Sequence, residues 1–182
     1  MSMAGPAKTR LIWLLPFLLF VGLLVLMAGN LGRSPTAVIR SQMIGKPVGA
    51  FDLAGMDGEK GLSSADLAGG GKPVLVNLFA SWCLPCAVEA PQLEKLREAG
   101  VVLHGIAVRD TPEDMRGFLA RHGNPFDRIA DDKGGRMLLN FGASGVPETY
   151  VIDGKGVIRY QHLGEIRPEH VPILLRELEK AA

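Results

Sequence analysis

The chain has 182 residues, 20 Lys and Arg against 19 Asp and Glu, and a formal net charge of +1, so it carries no electrostatic signature of a nucleic-acid partner. That length suits one globular domain plus an appendage. Two cysteines and four histidines at unrelated spacings exclude a disulfide framework and a conventional multi-ligand zinc site.

The appendage comes first. Leu11 to Met27 is an apolar run interrupted only by Pro16 and Gly22, and with Ala28 and Gly29 it approaches the about 20 residues that span hydrocarbon. The run is longer than a signal-peptide core, and Leu26-Met27-Ala28 is a poor cleavage sequence, which favours an uncleaved anchor. Lys8 and Arg10 before the run are answered by Arg33 and Arg40 after it, so the charge rule orients it only weakly. A tethered domain bearing a reactive cysteine pair has most to do where disulfides persist, outside the cytoplasm. The expected order is a cytoplasmic N-terminus at 1–10, a transmembrane anchor at 11–29, a tether at 30–44 and a periplasmic domain at 45–182.

Within that domain, Phe51 to Leu53 reads as an edge strand and Ser63 to Leu67 as one helical turn before Gly69-Gly70-Gly71. Pro73 to Ala80 is apolar on both faces, as expected of a central strand covered on each side. A helix follows from the cysteines to about Ala99, stopped by Gly100, with a kink expected at Pro91. Val101 to Val108 is a second buried strand, parallel to the first. Thr111-Pro112-Glu113-Asp114 supplies a cap, a first-turn proline and early acids for a helix to about His122. Gly135 to Phe141 reads as a short helix. Glu148 to Ile152 and Val157 to Leu163 form a hairpin through Asp153-Gly154-Lys155-Gly156, and Pro168 to Ala181 is a closing amphipathic helix.

The cysteines lie in Trp82-Cys83-Leu84-Pro85-Cys86, between the buried strand and its helix. This places the first sulfur at a helix N-terminus, where unpaired amides and the helix dipole favour the thiolate, the form that attacks disulfides. A purely structural disulfide here would close so short a loop that chain entropy supplies only about 2 kcal/mol. Cys83 is the candidate nucleophile, and Cys86, about one helical turn deeper, the resolving thiol. Pro85 removes an amide donor beside the sulfurs and so tunes their hydrogen bonding. Trp82 is read either as a shield beside the pair or as an ordinary core tryptophan.

Together, Gly71-Lys72-Pro73-Val74-Leu75-Val76-Asn77, the Trp-Cys-x-Pro-Cys segment with Glu89 behind it, and Gly142-Ala143-Ser144-Gly145-Val146-Pro147-Glu148-Thr149-Tyr150 resemble the thioredoxin superfamily. Within it they are similar to the membrane-anchored DsbE/CcmG-type thiol:disulfide interchange proteins of cytochrome c biogenesis. The resemblance implies a thioredoxin fold, a central mixed β-sheet flanked by helices, with one N-terminal transmembrane helix. It also implies a cis bond at Pro147 and a Val146 backbone that pairs with extended substrate. Thioredoxins commonly carry a buried Asp where Asn77 stands, so Glu89 or Glu148 is expected to supply the proton relay instead. Glu89 otherwise reads as a solvated helix acid, and Glu148 either as a group that helps recognise substrate or as a rim acid with no role.

The implied activity is reduction of the disulfide in the Cys-x-x-Cys-His haem-binding motif of apocytochrome c at the cell inner membrane. The implied partners are a membrane thiol reductase as electron donor and the haem-ligation components of cytochrome c maturation, with no cofactor, metal or nucleic acid. A general periplasmic reductase, a disulfide oxidant and a docking module with dispensable cysteines are the alternatives.

Overall fold

The computed structural model describes residues 7–31 and 42–182. Most of the expected tether, and residues 1–6 of the expected cytoplasmic segment, lie outside the described residues. The chain divides into two units, Met1–Ile39 and Arg40–Ala182. The first holds helix α1 (Ala7–Leu31), whose apolar side chains between Leu15 and Met27 are exposed. Side chains of this helix are described at 15–29, and among the described residues no helix is long and apolar enough to cross a membrane.

The second unit begins with a two-stranded ribbon, β1 (Asp52–Leu53) against β2 (Leu62–Ser63). Ser63 then caps α2 (Ser64–Gly69): its hydroxyl accepts from the Asp66 amide, and the Asp66 carboxylate accepts from the Ser63 amide in return. The main sheet follows as β3 (Val74–Phe79), β4 (Leu103–Val108), β5 (Arg128–Asp132), β6 (Glu148–Ile152) and β7 (Ile158–Leu163), in the spatial order β5-β4-β3-β6-β7. Strands β3, β4 and β5 run parallel, and β6 and β7 are antiparallel additions. Every side chain of β3 is buried, which is why its sequence, Asn77 apart, is apolar without alternation.

Four further helices complete the unit: α3 (Leu84–Glu98), α4 (Pro112–His122), α5 (Arg136–Phe141) and α6 (Val171–Ala181). Leu75, Phe79, Leu93, Leu96, Phe118 and Leu174 build the core on one face of the sheet, bringing in α3, α4 and α6. Val74, Val76, Leu78, Leu67, Met137 and Phe141 build the other, against α2 and α5. The fold is therefore the mixed sheet with helices on both faces that the sequence predicts.

Helix α3 carries Pro91 inside it as one element; a proline removes a single rung of the ladder, and Ala90, Leu93 and Leu96 anchor the helix on either side of it. Two strands, β2 and β5, are not among those the sequence predicts. Only Ile129 and Ala130 in Arg128–Asp132 are apolar, and the segment is made a strand by its register with β4, from His104 opposite Arg128 to Val108 opposite Asp132.

Candidate active site

Strand β3 ends at Phe79, and the loop Ala80-Ser81-Trp82 carries the chain into α3. Cys83 is the N-cap of that helix, in extended backbone conformation (φ −92°, ψ 106°), and its Sγ accepts the Cys86 amide at 3.2 Å. The cap position that a serine or aspartate oxygen ordinarily fills is taken by the sulfur. Pro85 lies in the first helical turn, where the missing amide costs nothing, and leaves the Cys86 N–H as the donor aimed at Cys83. The two sulfurs are joined as a disulfide, with Cα atoms 5.3 Å apart. In this oxidised form Cys83 is 5% exposed and Cys86 2%, so even the outer sulfur lies lower in the surface than its helix-cap position suggests.

Register brings the second loop beside the first. Leu78 pairs with Glu148 across the antiparallel β3–β6 ladder, so the segment before Glu148 emerges at the same end of the sheet as the dithiol. The Val146–Pro147 bond in that segment is cis. The Pro147 carbonyl accepts the Gly164 amide at 3.1 Å, tying the loop to the end of β7, whereas among the described residues no hydrogen bond engages the Val146 backbone.

Glu89 is not a solvated acid. It is wholly buried on α3: Oε1 accepts from Asn77 Nδ2 and Oε2 from the Ile166 amide, each at 2.9 Å. Burial dominates and raises its pKa from 4.5 to about 7; the two hydrogen bonds act against that rise, and Glu165 adds to it. Asn77, also wholly buried, donates to Thr149 Oγ1 at 3.0 Å as well, and its Oδ1 has no hydrogen-bond partner among the described residues.

Glu148 requires correction. It is buried and turned inward rather than standing on a rim: Oε1 accepts from the Ser144 amide, the Ser144 hydroxyl and the Gly145 amide, and Oε2 from Tyr150 Oη and Gln161 Nε2. Those donors bind the carboxylate into the loop that leads to Pro147. The Tyr150 hydroxyl, buried against it, is pushed well above the ordinary tyrosine range.

Trp82 requires correction too. It is not an ordinary core tryptophan but 62% exposed, with its indole N–H donated to the Arg109 carbonyl at 3.2 Å. Leu84 and Val88, one turn apart on α3, are exposed as well. Residues that sequence reasoning missed include Asp110, which binds Ser81, and Ile166, whose amide binds Glu89 and whose side chain joins the core cluster that holds both cysteines. A backbone amide has no signal in the sequence; Asp110 had a faint one, an acid immediately after a buried strand. Among the described residues no group of three or more His, Cys, Asp or Glu is arranged to hold a metal ion.

A redox-competent cysteine pair capping the helix after the central strand, beside a cis-proline loop on a five-stranded mixed sheet, defines a thiol:disulfide oxidoreductase of the thioredoxin fold. The chain belongs to the AhpC/TSA family, whose model matches residues 44–161. It is 43% identical over 157 residues to the thiol:disulfide interchange protein DsbE of Pseudomonas fluorescens biotype C, covering 86% of each chain. It is 41% identical over 148 residues to the thiol:disulfide interchange protein HelX of Rhodobacter capsulatus, covering 78% of this chain and 83% of the relative. A solved structure of a DsbE-type thiol:disulfide interchange protein from Chlorobium tepidum superposes with a TM-score of 0.63 at 26% identity, over 76% of this chain and 96% of the other.

Proposed function

We propose that this oxidoreductase works as a reductant facing the periplasm, held at the cell inner membrane by the 11–29 segment, and that its substrate is the disulfide of the Cys-x-x-Cys-His motif of apocytochrome c. The observation that carries the reading is Cys83 Sγ at the cap of α3, accepting the Cys86 amide at 3.2 Å, because the same donor and helix terminus stabilise the thiolate of the reduced form. Similarity to proteins named DsbE and HelX supports it, as does the Gly142 to Tyr150 fingerprint. The apolar run Leu11 to Met27 and the outward-facing side chains of α1 support the anchor, with 1–10 cytoplasmic, 30–44 a tether and 45–182 the periplasmic domain.

The reaction starts from the reduced pair. The Cys83 thiolate attacks one substrate sulfur, forming a mixed disulfide and releasing the other substrate sulfur as a thiolate, which takes a proton. Cys86, deprotonated, attacks Cys83 Sγ; the mixed disulfide breaks, the second substrate thiol leaves, and Cys83–Cys86 is left oxidised. Two electrons pass to the substrate, and a membrane thiol reductase restores the dithiol. Glu89, three residues beyond Cys86 with a pKa near 7, is suited to take the Cys86 proton. The Val146 backbone, without a hydrogen-bond partner among the described residues, is suited to receive an extended substrate strand, with Trp82 at the edge of the contact.

The test is a trap. Full-length Cys86→Ser, reduced and mixed with an oxidised Cys-x-x-Cys-His peptide, is expected to accumulate a Cys83-linked mixed disulfide, and the same variant in cells to accumulate a c-type apocytochrome adduct in the membrane fraction. Absence of both adducts, or full cytochrome c maturation with Cys83→Ser, overturns the reading.

A further inference from the structure

The reactive loop rests on a corner that the reaction above leaves unused. Between β4 and α4 the chain turns at Arg109, whose φ of 51° lies in the left-handed region that non-glycine residues seldom occupy. The turn aims two groups at the dithiol loop. The Arg109 carbonyl accepts the Trp82 indole N–H at 3.2 Å. The Asp110 carboxylate, 9% exposed, accepts the Ser81 amide through Oδ2, and through Oδ1 the Ser81 hydroxyl at 2.7 Å and the Thr111 amide at 2.8 Å. The two residues immediately before Cys83 are thus held by three hydrogen bonds from two consecutive residues of another loop.

The corner is itself braced. The Arg109 amide donates to the Asp132 carbonyl at 3.0 Å, as does the Gly135 amide. The Asp132 carboxylate takes the amides of Arg136 and Met137 at 3.0 and 2.9 Å, fixing the start of α5. A Cβ on Gly135 would stand 2.4 Å from Arg109 Nε, so the Arg109 side chain lies where only glycine leaves room. From α5 the chain passes to the cis-proline loop. One left-handed residue therefore connects, by a continuous run of hydrogen bonds, the loop bearing the attacking sulfur to the helix that leads to the loop facing it.

We propose that the Arg109–Asp110 corner is the positioning device for Cys83: the left-handed backbone of Arg109 and the buried carboxylate of Asp110 hold Ser81 and Trp82 so that the outer sulfur keeps its place at the cap of α3. This rests on Cys83 being the attacking group. Neither residue touches substrate; both act through Ser81 and Trp82. A reacting atom displaced by about 1 Å can lose two orders of magnitude in rate, so a device that limits the travel of this loop acts on chemistry and not only on stability.

The test compares two substitutions that remove the same charge and the same side-chain contacts. Arg109→Val and Arg109→Gly differ in their tolerance of φ 51°, which a β-branched residue resists and glycine accepts. In reduced full-length protein, Arg109→Val is expected to slow iodoacetamide alkylation of Cys83 and peptide-disulfide reduction by about ten-fold. It should also move the alkylation pH midpoint upward, because Cys83 loses its fixed approach to the Cys86 amide. Arg109→Gly is expected to recover rate and midpoint. Equal behaviour of the two variants overturns the proposal. Should Arg109→Val not fold, Ser81→Ala, which deletes only the hydroxyl contact to Asp110, is the second probe: a slower rate at an unchanged urea midpoint supports the corner, and an unchanged rate overturns it. Wild-type protein that fails to reduce the peptide would instead sink the reductant reading.

Discussion

Asn77 and Glu89 meet in the core between β3 and α3, the strand residue donating Nδ2 to the helix residue's Oε1 at 2.9 Å. The two positions form one site: the amide sits where thioredoxins commonly have an acid, and the acid comes down from the helix. The carboxylate is then held by a strand side chain and by the Ile166 amide from the connection between β7 and α6, so three parts of the fold converge on it.

The native pKa of Glu89 near 7 lies above its ordinary 4.5, so the fold favours the protonated acid. Its contribution to stability is fully present below about 4.5 and is lost as pH rises through 7, about 3 kcal/mol in all. Urea-unfolding midpoints of wild type should therefore fall from pH 4.5 to 8 relative to Glu89→Gln, which has no proton to lose and whose amide can face the unpartnered Oδ1 of Asn77 if that side chain turns over. Parallel curves for the two proteins would show that Glu89 is already ionised at low pH.

His104 works in the opposite direction. It is buried on β4 with Nδ1 unpartnered among the described residues, and burial pushes its pKa below 6.5 despite the opposing pull of Asp127. Stability from the neutral ring is present above about 6.5 and is lost as pH falls, because the unfolded chain takes the proton first. In the Glu89→Gln background, where the competing slope is gone, the unfolding midpoint should drop between pH 7.5 and 5.5. Adding His104→Gln should flatten that drop, and a drop that persists would assign it to another group such as His162, which burial also lowers.

Glu148→Ala removes the acceptor that two amides, the Ser144 and Tyr150 hydroxyls and the Gln161 amide group now share, although Gln161 keeps its bond to the Tyr150 hydroxyl. Loss of this buried acceptor should cost about 3 kcal/mol in chemical denaturation. It should also slow peptide-disulfide reduction, since the loop ending at Pro147 loses its tie. Glu148→Gln keeps one oxygen and should fall between the two. A full-rate, fully stable Glu148→Ala would mean that the loop is held by the Gly164 amide on Pro147 alone.

Local chemistry made much of the architecture readable. Apolar runs marked β3 and β4; Thr111-Pro112 marked a helix start and Asp153-Gly154 the β6–β7 hairpin; and the spacing of Cys83 and Cys86 behind a buried strand marked the reactive pair. These signals depend on neighbours in the chain. Strand β5 was missed because Arg128–Asp132 has no such signal and becomes a strand only by lying against β4. Trp82, Glu89 and Glu148 were placed correctly along the chain, yet their surroundings are set by residues up to 77 positions away.

From the amino-acid order alone came the class of chemistry: two thiols at helix-cap spacing after an apolar strand, and a proline segment that resembles the thioredoxin cis-proline site. Which acid is buried, which way an indole points and what braces the reactive loop were decided by tertiary structure. The reason is physical. Backbone propensity acts over a few residues, but desolvation, hydrogen-bond satisfaction and a left-handed turn such as Arg109 are consequences of what another segment brings alongside.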